Sequence, residues 1–211
     1  MDKVIGIISY LPDTPFKRAK RQELITNLVS KLDELFNLPI IIVAQNWKGL
    51  TMKSDNCHTY YFDEKLGITG AREKLREIFL DSAYDYLIML DDDCELSGDR
   101  ESARQYLQQI DEHPKMFYEF KTTLLKLFAI HRDIFKEQGF EGVNPENGDG
   151  FEDRVFVGKL RERFPNRRYI FRRGTLTEKS TPTKDPYSTW YDDQDLKEMV
   201  RKTNELTAKN N

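Results

Sequence analysis

Three consecutive carboxylates, Asp91-Asp92-Asp93, close the apolar run Tyr86-Leu87-Ile88-Met89-Leu90. Neighbouring like charges repel by roughly 3–4 kcal/mol per pair at an effective dielectric of about 20, so stability alone gives little reason for the triplet. A divalent cation relieves that repulsion, and hard carboxylate oxygens suit Mg²⁺ or Mn²⁺. In open α/β sheets, ligands bind just outside the carboxyl ends of the strands, which is where an apolar run ending in acids places its charge. These residues therefore point to a metal-dependent site for a phosphate-bearing substrate. A second acidic pair, Glu152-Asp153, opens a helical pattern about 60 residues downstream. The dipole at a helix N-terminus favours ionised carboxylates there.

The elements that must carry these acids can be read from periodicity. Val4–Ser9 and Ile40–Ala44 are short continuous apolar runs, expected as buried strands. Between them, Leu24, Ile25, Leu28, Val29, Leu32, Leu35 and Phe36 recur at helical spacing over Lys17–Phe36, and Pro39 ends the pattern. This is a β-α-β unit, with parallel strands and a right-handed crossover. Residues 45–58 are polar and read as a loop, Thr59–Phe62 as a short strand, Ala71–Ser82 as a helix and Tyr84–Leu90 as the strand that delivers the aspartates. The order β-α-β-β-α-β begins a doubly wound fold. Farther on, the pattern predicts a helix over Asp99–Glu112, strands over Phe117–Lys121 and Leu125–Ile130, a helical turn at 133–138 stopped by Gly139, a loop at 141–150, a helix over Glu152–Arg163 and a strand over Arg168–Arg172. Residues 174–189, rich in Thr, Ser, Lys and Pro, read as a mobile segment, and Asp192–Leu206 as a final helix.

The 211 residues, 38% hydrophobic and 33% charged, describe a globular chain of about one domain. A net charge of −3 argues against a broad nucleic-acid footprint. Cys57 and Cys94 form neither a disulfide framework nor a zinc spacing. No leader is evident at Met1-Asp2-Lys3, and no apolar run approaches the ~20 residues of a membrane helix, so a cytoplasmic location is the expectation.

Four segments in order resemble the GT-A-fold glycosyltransferases, most closely family 2. They are Val4–Tyr10, similar to the opening nucleotide-binding strand; Gly67–Lys74, similar to a glycine–Ala-Arg-Asn helix start; Asp85–Asp93, similar to a D-x-D metal motif on its strand; and Leu127–Phe135 followed by Gly139-Phe140 and Gly150-Phe151-Glu152-Asp153, similar to the acceptor-side strand, turn and Glu-Asp motif. The likeness spans about residues 3–165. Two departures stand out. Glu73 replaces the usual asparagine, and the three histidines, His58, His113 and His131, all precede the Glu-Asp motif, where some relatives place a metal-binding histidine after it.

The resemblance implies an α/β GT-A (Rossmann-like) fold with a mixed, mostly parallel sheet and helices on both faces. It divides the chain into a nucleotide-sugar-binding half (1–96), an acceptor-side half (97–173) and a lid with a C-terminal helix (174–211). It implies transfer of a sugar from a nucleotide-sugar donor, a UDP-sugar by default, to an acceptor hydroxyl, with inversion of configuration. Mn²⁺ or Mg²⁺ is the implied cofactor, with Asp93 as direct ligand and Asp91 reaching the ribose or a metal-bound water. Asp92 should point the other way and only assist. Asp153 is the implied base, with Glu152 orienting the acceptor or serving in its place. Ser9, Tyr10, Leu11, Gln45 and Asn46 should line the nucleotide pocket, and Arg72 should reach the donor diphosphate or brace the D-x-D loop. Trp47 and Cys94 are expected to pack. The basic cluster from Lys159 to Arg173 is read as a solvated face ahead of an anion site. A nucleotidyltransferase, an aspartyl phosphohydrolase and a non-catalytic sugar-nucleotide module are the alternatives. The acceptor (saccharide, protein, lipid-linked sugar or nucleobase) is not legible.

Overall fold

The computed structural model describes residues 1–12, 15–47, 52, 54–119, 127–140, 152–171 and 177–180. Nine strands and five α-helices follow one another among them: β1 (Lys3–Tyr10), α1 (Pro15–Phe36), β2 (Ile40–Gln45), β3 (Cys57–Phe62), α2 (Gly67–Asp81), β4 (Tyr86–Asp91), β5 (Cys94–Ser97), α3 (Arg100–Glu112), β6 (Phe117–Glu119), β7 (Phe128–His131), α4 (Arg132–Glu137), α5 (Glu152–Arg163), β8 (Arg168–Ile170) and β9 (Thr177–Ser180).

Seven strands form one sheet in the order β3-β2-β1-β4-β7-β6-β8. β1 to β4 are mutually parallel, β7 runs against β4 and β6, and β8 is parallel to β6. β1 and β4, the central parallel pair, are buried along almost their whole length, which is why they read as unbroken apolar runs. Strand alternation sorts their side chains into two cores. Ile5, Ile7, Tyr86, Ile88 and Leu90 pack with Ile25, Leu28, Val29 and Leu32 of α1 and with Ala103, Tyr106 and Ile110 of α3. Val4, Ile8, Leu87 and Met89 pack with Leu75 and Phe79 of α2, Ile134 and Phe135 of α4, and Phe156, Val157 and Leu160 of α5. The sheet is thus covered on both faces. Gly6 lets α2 lie close to β1, since a Cβ there would stand 2.7 Å from Leu87 Cδ1 and 2.8 Å from Leu75 Cδ2.

The structure departs from the sequence reading most at α2 and at the β5–β9 pair, and β3 begins at Cys57, inside the segment read as a loop. α2 begins at Gly67, four residues earlier than periodicity predicts, because Gly67 and Gly70 carry no apolar side chain to mark the period. β5 follows the aspartates directly and pairs antiparallel with β9, in register Cys94↔Ser180 to Ser97↔Thr177. Four residues of the segment read as mobile are therefore a strand. Its partner lies some 80 residues away, the alternation of β5 runs for only four residues, and β9 is all polar, so the pairing has little local signal. The loop expected at 141–150 and the helix expected at 192–206 lie outside the described residues.

Candidate functional site

The acids at the end of β4 divide between the two faces of the sheet. Asp91 is the last residue of β4, opposite Ile8 of β1. It follows Leu87 and Met89 on the face covered by α2 and α5. Asp92 comes next and turns into the core, pointing away from Asp91. It is fully buried, as is Arg21 of α1, and Arg21 Nη1 donates to its Oδ1. The Ser9 hydroxyl donates to Oδ2, and the Trp47 indole N–H donates to Ser9 Oγ at 3.1 Å. Burial pushes the Asp92 carboxyl up to about 7, against the opposing pull of the adjacent Arg21 guanidinium and Ser9 hydroxyl. Asp93 is half-buried in the turn that follows.

On the other face, Arg72 joins the two acidic motifs. Its Nη2 donates to Asp91 Oδ1 at 3.0 Å, and its Nη1 donates to Asp153 Oδ1. The Arg72 side chain is 5% exposed, Asp91 16% and Asp153 22%, so the three groups form a partly wetted cluster, not a sealed one. The residues that bring Asp153 there are aromatic. Phe156 lies one helical turn after Asp153 on α5, is fully buried, and stacks on Phe140 with ring centroids 4.0 Å apart. The Arg72 guanidinium lies 5.9 Å from the Phe140 ring centroid. Phe140 is held in turn by Glu73, whose Oε2 accepts from Phe140 N at 3.0 Å and whose Oε1 pairs with Arg76. Arg76 Nε donates to Phe135 O at 2.6 Å. A Cβ at Gly139 would stand 3.0 Å from both the Arg76 guanidinium and Glu73 Oε2, so these two side chains would have to shift to admit one. Glu73, the departure from the resembled motif, thus fastens α2 to the Gly139-Phe140 turn. Glu152 opens α5 beside Asp153.

The residues expected around a nucleotide gather at the carboxyl ends of β1 and β2, but several side chains are already engaged. Ser9 faces Asp92. Gln45 is fully buried, and its Oε1 accepts from Leu66 N at 2.7 Å, which ties the start of α2 to the end of β2. Asn46, at φ 56°, donates from Nδ2 to Leu11 O at 2.9 Å, and Leu11 N donates to Gln45 O at 3.0 Å. The Lys65 ammonium lies 5.2 Å from the Tyr10 ring centroid. Ser9, Tyr10, Leu11, Gln45 and Asp92 are buried at this end of the sheet, while Asn46 is half-buried and Lys65 exposed. Trp47 and Cys94 are buried. The basic cluster is largely occupied: Arg161 and Arg168 both pair with the buried Glu119, Arg163 pairs with Glu137, and Arg167 donates to Lys115 O.

Arg21 is the neighbour of these acids that no motif in the sequence marks. Its signal was available, because Arg21, Ile25, Leu28 and Leu32 share one stripe of α1, and a cation on an apolar stripe needs a buried anion. Among the described residues no group of three or more His, Cys, Asp or Glu side chains could hold a metal ion by itself. The donors at the end of β4 are the carboxylates of Asp91 and Asp93. That set fits Mg²⁺ or Mn²⁺, which are commonly held by one or two carboxylates, with substrate phosphates and water completing the shell.

No protein-family model and no curated protein matches this sequence. Solved structures do match its fold. TarS of S. aureus, in complex with UDP, superposes with a TM-score of 0.61 at 13% identity, over 96% of this chain and 64% of that one. It is also known in complex with UDP-GlcNAc, where the TM-score is 0.59 at 12% identity, over 83% of this chain and 57% of that one. This chain thus spans less than two thirds of TarS. A protein of Desulfovibrio desulfuricans named for nucleotide-diphospho-sugar transfer matches with a TM-score of 0.56 at 12% identity, over 97% of this chain and 98% of its own. The glycosyltransferase GlyE of Streptococcus pneumoniae matches with a TM-score of 0.51 at 12% identity, over 81% of this chain and 45% of its own. The fold is GT-A-like, with a mixed, mostly parallel seven-stranded sheet.

Proposed function

We propose that this protein transfers a sugar from a nucleotide-sugar donor, a UDP-sugar by default, to an acceptor hydroxyl with inversion, in a metal-dependent reaction. The observation that carries this reading is the Arg72 bridge, which sets Asp91 at the end of β4 beside Asp153 at the start of α5. Two acidic motifs about 60 residues apart in the chain thus meet at one guanidinium. The fold shared with proteins that bind UDP and UDP-GlcNAc supports the choice of donor.

Asp93, with Asp91, would hold a Mg²⁺ or Mn²⁺, which when bound would supply Lewis-acid stabilisation of charge on the departing diphosphate. The chain's own residues do the rest. Asp153 accepts the proton of the acceptor hydroxyl at a carboxylate oxygen as that hydroxyl attacks from the side opposite the leaving group. Arg72 orients Asp153 and Asp91 toward each other and offers its positive charge to the diphosphate as the glycosidic bond breaks. Glu152, one residue earlier in the first turn of α5, orients the acceptor. The backbone of Ser9–Leu11 with Tyr10 and Asn46 forms the floor on which the nucleoside lies.

UDP binding with and without Mn²⁺ tests the reading. The wild type should bind UDP more tightly with Mn²⁺, Asp93→Ala should lose that enhancement, and Asp153→Ala should bind UDP but not turn over. Thermal shifts across a panel of sugar nucleotides in Mn²⁺ would then identify the donor. UDP binding that Mn²⁺ does not strengthen, or donor hydrolysis to free phosphate as the only turnover, would remove the transferase reading.

A further inference from the structure

We infer that Arg21 is a positioning residue for the carboxylates that flank Asp92. The inference rests on the donor-and-metal reading above and goes beyond it to a residue on the far face of the sheet. Both oxygens of Asp92 are gripped, Oδ1 by Arg21 Nη1 and Oδ2 by the Ser9 hydroxyl, and Ser9 is fixed by the Trp47 N–H at 3.1 Å. The four residues come from α1, β1, the end of β2 and the turn after β4, so the turn is tied to three separate elements. A carboxylate held at both oxygens cannot rotate, and its backbone cannot slide along the strand axis. Asp91 and Asp93, the residues on either side, are therefore fixed in place.

Stability is a weak reason for this arrangement. A sealed ion pair is often matched or bettered by apolar side chains of similar volume. An apolar pair would fill the same space but would not define the direction of the turn. Groups that orient metal ligands without touching the metal commonly change its affinity about 10- to 100-fold when removed.

The double variant Arg21→Met/Asp92→Leu separates the two roles. It keeps the volume and removes both buried charges. The expected result is a folded protein that melts near the wild-type temperature and binds UDP without metal as the wild type does. Its Mn²⁺ enhancement of UDP binding should fall at least tenfold. Arg21→Lys, which keeps the charge but offers one donor point, should retain more of that enhancement than the double variant. If the double variant does not fold, Ser9→Ala releases only Oδ2 and should weaken the Mn²⁺ effect severalfold. A folded double variant, or in its absence a Ser9→Ala protein, with wild-type Mn²⁺ enhancement overturns the inference and leaves the transferase reading standing. A wild type whose UDP binding ignores Mn²⁺ removes that reading first, and this inference with it.

Discussion

Two arginines meet the acids at the end of β4, one on each face of the sheet, and they do different work. Arg21 and Asp92 are sealed, each with a fully buried side chain, and they bond to each other within the core. Arg72 faces Asp91 and Asp153, which keep 16% and 22% of their side chains in contact with solvent. A sealed carboxylate can direct the backbone but cannot meet a substrate. A carboxylate that keeps contact with solvent can do chemistry because water and ligands reach it. Adjacent residues of one type thus come to lie on opposite faces of the sheet where the strand ends.

The largest effect expected from this contrast is catalytic. Asp153→Asn should lower turnover by about 10²–10⁴-fold, a barrier of roughly 3–5 kcal/mol, while UDP affinity stays near wild type. A coupled assay for UDP release with calorimetric UDP titration checks it. An equal loss of UDP binding would move Asp153 to the donor side. Next in size, Arg21→Met alone leaves Asp92 buried without its cation and should cost about 3–5 kcal/mol in urea unfolding. Arg72→Met should cost less, about 1–2 kcal/mol, because water reaches both of its carboxylates. If the two variants lose equal stability, the distinction between the sealed and open faces fails. Glu73→Ala removes the acceptor for Phe140 N and the partner of Arg76, and should cost about 1–2 kcal/mol. It should also weaken turnover more than UDP binding, since the Phe140 turn supports α5 and not the donor end of the sheet.

The smallest effect is a pH slope far from the site. His131 Nδ1 accepts from Asp133 N at 3.1 Å and caps α4, so this ring serves in its neutral form. Burial lowers its pKa from 6.5, opposed by Asp133 and Asp85 and assisted by Arg167 and Lys115. Its other close neighbour is the Tyr86 ring, edge-on at 5.0 Å. Below the unfolded-state value the unfolded chain binds the proton more readily than the folded one. The contribution is therefore present above pH 6.5 and is lost as pH falls through the lowered folded value. His131→Asn keeps a cap acceptor and should flatten this part of the slope in urea melts between pH 5 and pH 7.5.

Much of the fold was legible. β1, β2 and β4 are central and covered on both faces, so each had to be apolar throughout, and the apolar stripe of α1 predicted its helix to within two residues. The β5–β9 pair was not legible, because its ladder joins residues some 80 apart, β5 alternates apolar with polar over only four residues, and β9 is polar throughout. The nucleotide-side residues were placed at the right end of the sheet, but their side chains were not. Ser9 and Gln45 look like pocket-lining polar residues in sequence, yet both are fully buried and bonded to Asp92 and Leu66. A polar residue after an apolar strand faces the cleft or the core depending on its parity, and the exact end of a strand is the least legible feature of a sequence.

By itself the sequence determined the parallel half of the sheet, the acids at its carboxyl edge and the helix that begins with Glu152-Asp153, because burial and helical periodicity act over a few residues. Tertiary structure alone decided that Asp92 belongs to Arg21 and that Asp91 and Asp153 share Arg72. Those pairings depend on which face of the sheet each helix covers, and that is set by packing between elements 70 to 80 residues apart.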